Sequence, residues 1–212
     1  MDFFGKRVLL VGDSHSVGGY GKRLAALFAQ EGASVESLAV GGMAARDFAV
    51  GKYADEFRSQ GRVDVLVVSL GTNDASNLEG VPLRKVAEYT RKLAVDSGAS
   101  VAFYVGPPAF ADGIAKSLYP VFSSYDLNQR AADVYKAVSS SFPGIVIDSR
   151  PLTADLISQR DIHFSAANGA KWAERVFQQL KVPKTQEGSL AGPLAFGVAV
   201  FLLGWMLTRR AS

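Results

Sequence analysis

The sequence predicts an α/β protein: a three-layer α/β/α sandwich on a five-stranded parallel sheet, with a C-terminal transmembrane helix added. Three observations lead there. Short apolar runs rich in Val, Ile and Leu each stop at small or polar residues, as buried parallel strands do. Stretches of helical periodicity lie between them, with short connections. Close to the C-terminus, residues 190–208 carry no charge at all.

The elements follow in order. Residues 8–11 form the first strand, which ends abruptly at Gly12-Asp13-Ser14-His15-Ser16, and small residues continue to Gly21. The preceding residues 1–7 are charged and lack an apolar core long enough for a signal peptide. Leu24, Leu27 and Phe28 recur at helical spacing up to Gly32, a suitable glycine just past a helix end. Residues 34–40 alternate as a second strand and end at Gly41-Gly42. Residues 47–60 suit one helix with Phe48, Tyr53 and Phe57 as apolar contacts, closed by Gly61.

Residues 63–70 form a nearly continuous Val/Leu strand, as a central strand buried on both faces requires, and end at Gly71-Thr72-Asn73-Asp74. A helix follows over 82–97, with Pro82 suited to its first turn. A fourth strand covers 100–105 and ends at Gly106-Pro107-Pro108. Residues 109–124 read as a loop, 125–142 as a helix, and 144–147 as a short fifth strand running into Asp148. Residues 151–160 are irregular or a brief helical turn, and 164–180 form the last helix of the 1–180 domain. The handedness rule makes the crossovers right-handed.

Residues 181–189 turn polar and read as a linker. The following 190–208 would span about 28 Å as a helix, close to the hydrocarbon core of a bilayer. Leu, Val and Phe favour insertion, while Pro193 and the glycines oppose it. Trp205 and, beyond it, Arg209-Arg210 in the basic tail 209–212 suit an interfacial anchor. The expectation is a single-pass C-terminal anchor in a lipid bilayer; a hydrophobic helix packed on the domain or on a partner is the alternative. Arg209-Arg210 favour a cytoplasmic C-terminus and Lys181 and Lys184 oppose it, so the side of the domain stays open between a cytoplasmic and an exported one.

Composition narrows the chemistry. The 212 residues are 48% hydrophobic and 20% charged, enough for one well-packed domain and a little more. A net charge of +3, with no Lys/Arg run interleaved with aromatics, argues against nucleic acid. The absence of cysteine excludes disulfides, thiolate metal sites and a cysteine nucleophile. With only His15 and His163, no His-rich metal site is expected and any imidazole chemistry must use one of these two. Phosphate cradles fail in detail: Gly21-Lys22 lacks a glycine five positions earlier and is followed by Arg23, and Gly19-Tyr20-Gly21 is followed by no glycine at Leu24.

In a parallel sheet, ligands bind at the C-terminal edge of the strands. Ser14, Gly41-Gly42 and Asn73 follow three such strands, and Asp161 and His163 precede the last helix, which can bring them to that edge. A serine hydroxyl needs a base to take its proton. His163 is the candidate base and Asp161 its orienting carboxylate. Asp148, after the fifth strand, is the rival carboxylate. Acyl transfer also needs donors for the developing oxyanion, which the backbone N–H groups of Ser14 and Gly42 and the Asn73 amide can supply. Asp13 suits a helix cap, Asp74 can bond loop N–H groups, and His15 suits a place behind the site or facing substrate.

In this order the residues resemble the SGNH, or GDSL-type, hydrolase superfamily: Ser14 in Gly-Asp-Ser-His-Ser, Gly42, Asn73 in Gly-Thr-Asn-Asp, and His163 in Asp-Ile-His-Phe-Ser. The resemblance covers about residues 6–180. It implies a flavodoxin-like sheet and ester hydrolysis, with Ser14 as nucleophile, His163 as base, Asp161 as its orienter, and an oxyanion hole from Ser14, Gly42 and Asn73. Two positions depart from the family pattern. Asp161 stands two residues before His163, one fewer than is usual, and His15 stands where many members carry Leu.

The expectation is therefore a membrane-anchored serine esterase acting through an acyl-enzyme on Ser14, with no metal or organic cofactor. Its substrate is a small acyl ester of a carbohydrate, peptidoglycan or lipid. Phe110, Tyr119 and Phe122 in the 109–124 loop could wall the cleft or simply fill the core. An O-acyltransferase with the same triad, or an inactive SGNH-fold binding module, are the alternatives.

Overall fold

A computed structural model describes residues 1–76, 80–114 and 126–182. Five strands, β1 (Arg7–Gly12), β2 (Ser34–Ala39), β3 (Val65–Ser69), β4 (Val101–Val105) and β5 (Ile145–Ile147), pair in the order β2-β1-β3-β4-β5, every pair parallel. Between and after them run α1 (Ser14–Val17), α2 (Gly19–Gln30), α3 (Ala45–Ala49), α4 (Ala54–Ser59), α5 (Thr72–Ser76), α6 (Leu83–Asp96), α7 (Leu127–Ser139), α8 (Arg150–Thr153) and α9 (Ala166–Lys181). Residues Met1–Val182 form one compact unit.

The period of two along each strand divides the core between the two faces of the sheet. Leu9, Val11, Leu66, Val68 and Tyr104 pack with Phe48, Leu93, Val134 and Val138 on one face. Val8, Leu10, Val65, Val67 and Phe103 pack with Phe28, Trp172, Val176 and Phe177 on the other. A fully buried aliphatic or Phe side chain contributes about 1.5–3 kcal/mol, so both helical layers are held chiefly by these strands. Trp172 stacks on Tyr20 at 3.9 Å and donates from Nε1 to Ser149 Oγ at 3.2 Å, joining α9, α2 and the start of α8.

Register brings the chemistry to one level. Gly12 pairs with Ala39 on one side and with Ser69 on the other. The chain beyond each of these three residues therefore leaves the sheet along a single row, carrying Ser14, Gly41-Gly42 and Asn73.

Several elements differ from expectation for local reasons. The helix expected over 47–60 is two helices, α3 and α4, parted at Gly51, where a Cβ would sit 2.9 Å from Asp47 Cα and 3.2 Å from the Arg46 carbonyl oxygen. Pro82 caps α6 in extended backbone and does not occupy its first turn. Ser14 and Asn73, expected on loops, lie on the short helices α1 and α5. The last helix runs to Lys181, one residue into the expected linker. Residues 183–189 of the expected linker, the expected span 190–208, the tail 209–212, Tyr119 and Phe122 lie outside the described residues. Among the described residues no helix is long and apolar enough to cross a membrane.

Candidate active site

Asp13 follows β1 and caps α1, its carboxylate accepting from the His15 N–H at 3.0 Å. Ser14 is thereby the first residue of α1, where backbone N–H groups have no helical acceptor. Gly12 is required here, since a Cβ would lie 1.9 Å from Ser16 Oγ.

His163 reaches Ser14 across 149 residues of sequence, and glycine makes that approach possible. A Cβ on Gly19 would lie 2.6 Å from the Ala166 carbonyl oxygen, and one on Gly169 2.8 Å from the Tyr20 nitrogen. The first turns of α2 and α9 therefore meet backbone to backbone, with the residues just ahead of each brought side by side. Ser165 caps α9 by accepting from the Asn168 N–H at 3.2 Å. Asp161 accepts from the His163 backbone N–H at 3.1 Å, folding the two-residue spacing into a tight turn.

The ring of His163 spans the gap. Nδ1 is 3.0 Å from Asp161 Oδ1, and Nε2 is 2.9 Å from Ser14 Oγ. An ionised carboxylate can only accept, so Nδ1 carries the proton and Nε2 is free to accept from the Ser14 hydroxyl. Partial burial pushes the Asp161 carboxyl up, and the hydrogen bonds from the His163 backbone and ring outweigh it, leaving the group below its usual range. Asp148 is engaged elsewhere. It accepts from Arg150 Nε at 2.8 Å and Nη2 at 2.6 Å.

On the other side of Ser14, Asn73 donates from Nδ2 to the Met43 carbonyl at 3.0 Å. One amide proton fixes the side chain against the 41–44 loop and the second is left for another acceptor. Asp74 accepts from the Ala45 N–H through both oxygens, at 3.2 and 3.3 Å, which ties α3 to α5. Gly71 (φ 127°) enters α5 where a Cβ would strike Tyr104 Oη at 2.8 Å and Pro107 Cδ at 2.9 Å.

No family model and no curated protein matches this sequence. Solved structures do. A protein assigned as an SGNH hydrolase from Slackia heliotrinireducens superposes with a TM-score of 0.65 at 18% identity, covering 83% of this chain and 99% of that one. The fold is that of the SGNH hydrolases. Axe2, an acetylxylan esterase from Geobacillus stearothermophilus, superposes with a TM-score of 0.61 at 15% identity over 89% of this chain and 100% of its own. LAE5, an alpha/beta hydrolase enzyme from the metagenome of Lake Arreo, Spain, gives 0.63 at 13% identity over 84% and 97%.

Within this SGNH fold the remaining predicted positions are placed as follows. The Cβ position of Gly41 is 3.9 Å from Ser14 Cβ, whereas that of Gly42 (φ 78°) meets nothing within 4 Å. Gly41 and Gly42 together carry the chain past Ser14, and the positive φ of Gly42 makes the left-handed turn. His15 is buried, its ring 5.3 Å from that of His163, 5.6 Å from Trp172 and 5.7 Å from Phe164. Burial, and then the neighbouring His163, push the His15 imidazole down to about 3. Burial pushes Asp13 and Asp74 up to about 7, each raised further by another carboxylate, Asp74 for Asp13 and Asp47 for Asp74. Phe110 is buried and lies 6.5 Å from His15, so it belongs to the core behind the site.

Sequence reasoning missed Met43 and Ala45, whose backbone groups hold Asn73 and Asp74, since nothing in a residue's identity marks a main-chain partner. A cavity of about 220 Å³ opens beside Ser14 and His163, with Gly18, Gly19, Tyr20 and Phe164 in its wall. Among the described residues no group of His, Asp and Glu is arranged to hold a metal ion.

Proposed function

We propose that this protein is a serine esterase that acts through an acyl-enzyme on Ser14. One observation carries the reading: Ser14 Oγ lies 2.9 Å from His163 Nε2, whose other ring nitrogen faces Asp161 at 3.0 Å. As Oγ attacks the acyl carbon, its proton passes to Nε2 and the ring becomes an imidazolium. Asp161 stabilises that charge and holds the ring. The oxyanion is bound by the Ser14 N–H, an N–H of Gly41-Gly42 and the second amide proton of Asn73. Nε2 then returns its proton to the leaving alcohol oxygen. Water repeats the sequence in reverse and releases the acid, so no metal or organic cofactor takes part.

The ester carries a small acyl group. The neighbour Axe2 is an acetylxylan esterase, which favours an acetylated carbohydrate over a long-chain lipid ester. The uncharged stretch 190–208, with Trp205 and Arg209-Arg210 at its end, supports a C-terminal membrane anchor.

The test is Ser14→Ala in the full chain, assayed on short p-nitrophenyl esters. Loss of essentially all turnover is expected, and unchanged hydrolysis overturns the reading. Adding a sugar acceptor and analysing the products separates hydrolysis from acyl transfer. Protease accessibility in sealed vesicles identifies the side on which the domain lies.

A further inference from the structure

The cavity of about 220 Å³ beside the triad is bordered from two segments, the α1–α2 turn within 14–20 and the stretch 163–169. The half-buried Ser14, His163 and Phe164 open it to solvent, and the buried His15 and Tyr20 close its base. Its side chains are chiefly rings, so the walls are flat and largely apolar. The oxyanion donors beyond Ser14 itself, Gly41-Gly42 and Asn73, do not border it.

This placement assigns one part of the ester to the cavity. In the tetrahedral intermediate on Ser14 Oγ, the acyl carbon also carries the oxyanion, the acyl chain and the leaving oxygen. The oxyanion points to its donors, away from the cavity. The bond between the acyl carbon and the alcohol oxygen breaks as that oxygen takes the proton held on His163 Nε2. The leaving oxygen therefore lies within hydrogen-bond reach of Nε2. The acyl chain makes no bond to the base. Walled by His163 and the residue that follows it, the cavity lies where the alcohol continues beyond its oxygen.

The glycines that line the cavity are not equivalent. At Gly19 and Gly169 a Cβ would lie 2.6 Å from the Ala166 carbonyl oxygen and 2.8 Å from the Tyr20 nitrogen, so no side chain fits where α2 meets α9. At Gly18 φ is −81°, and a Cβ would meet the His15 and Ser14 carbonyl oxygens at 3.4 and 3.5 Å, ordinary contacts. Its N–H donates to the same two carbonyls at 3.2 Å, bonds that any residue but proline keeps. The fold thus has room for a side chain at 18, and glycine there leaves the cavity open.

We propose that this cavity holds the alcohol half of the ester, with Gly18 setting the size of alcohol accepted and Phe164 giving a flat wall for a ring-bearing alcohol such as a sugar. The acyl group lies outside it. This rests on the serine-esterase reading above.

The test compares ratios of kcat/KM within each variant, so that a lowered folded fraction cancels. Methyl and cyclohexyl acetate differ only in the alcohol, methyl acetate and methyl butyrate only in the acyl group. Hydrolysis of methyl acetate by the parent, lost in Ser14→Ala, is read first, and its absence overturns the esterase reading and this proposal together. Gly18→Ala and Gly18→Leu then narrow the cavity in two steps. The expected result is a stepwise fall in the cyclohexyl-to-methyl ratio, reaching about tenfold or more in Gly18→Leu, with the butyrate-to-acetate ratio unmoved. If Gly18→Leu yields no folded protein, the direction of the change in Gly18→Ala decides. Any other pattern, including a fall in the butyrate-to-acetate ratio or no change in either, overturns the proposal and leaves the esterase reading standing.

Discussion

His15 packs its ring 5.3 Å from that of His163, at an interplanar angle of 46°, and the two adjacent residues Ser14 and His15 thereby serve opposite sides of one imidazole. Ser14 bonds Nε2 at the edge of the ring. His15 lies behind, enclosed by Phe110, Phe164 and Trp172. Its Nε2 is buried without a hydrogen-bond partner among the described residues. A second positive charge there would meet both desolvation and the His163 imidazolium formed during turnover, so His15 stays neutral throughout.

The two histidines therefore separate under mutation. His15→Phe keeps the ring packing and loses only a group that neither titrates nor bonds Ser14, so kcat/KM on p-nitrophenyl acetate is expected to stay within about tenfold of the parent. His163→Ala removes the base and is expected to cost about 10⁴-fold or more in kcat. A loss at His15→Phe as large as at His163→Ala would show that His15 enters the chemistry.

The central strands were legible because burial on both faces leaves an unbroken apolar run such as residues 65–68, and α6 and α9 because each is long enough to repeat a period. The helices α1 and α5 were not. With four and five residues they show no period and depend on the Asp13 cap and on tertiary ties. Ser14, Asp161 and His163 stood out because few residue types can perform that chemistry and only two histidines exist. The left-handed turn falls at Gly42 and not at Gly41, a backbone choice that two consecutive glycines do not distinguish in the sequence.

Asn73 has two tasks, and its variants separate them. Its bond to the Met43 carbonyl holds the 41–44 loop, and its second amide proton is the proposed oxyanion donor. Asn73→Ala is expected to lower kcat by about 10²–10³-fold with little change in KM, as loss of one oxyanion donor does. A parallel rise in KM would assign its main effect to the loop.

The buried carboxyls Asp13 and Asp74 make stability fall as pH rises. In the folded chain each titrates near 7, against 3.8 as the ordinary value. Between these limits the folded state keeps protons that the unfolded state has released, so unfolding becomes easier from about pH 4 to pH 7 and levels off above. Asp148 and Asp161, held low, act below this window. His15, pushed from 6.5 down to about 3, opposes the fall up to about pH 6.5, but one group against two leaves the net slope downward. The melting temperature is expected to be lower at about pH 8 than at about pH 5, and Asp74→Asn, which can still accept from Ala45, to flatten that decline. An Asp74→Asn protein with the parent's full pH slope would remove Asp74 from the explanation.

Gly21 links the fold to the nucleophile most directly. It is buried on α2, and a Cβ there would lie 1.9 Å from the Ser16 carbonyl oxygen and 2.7 Å from Ser16 Cα. Both atoms are main chain and belong to α1, so no rotamer change can relieve the contact. Either α2 withdraws from the first turns of α9, or α1 shifts and takes Ser14 away from His163. Gly21→Ala, normally favourable within a helix, is therefore expected to destabilise by about 2 kcal/mol or more and to lower kcat in whatever fraction remains folded. Gly61→Ala is the control, since its added Cβ meets nothing within 4 Å and its left-handed φ of 65° lies far from Ser14. It should lose stability with kcat retained, and equal kcat losses in the two variants would break the link between Gly21 and the position of Ser14.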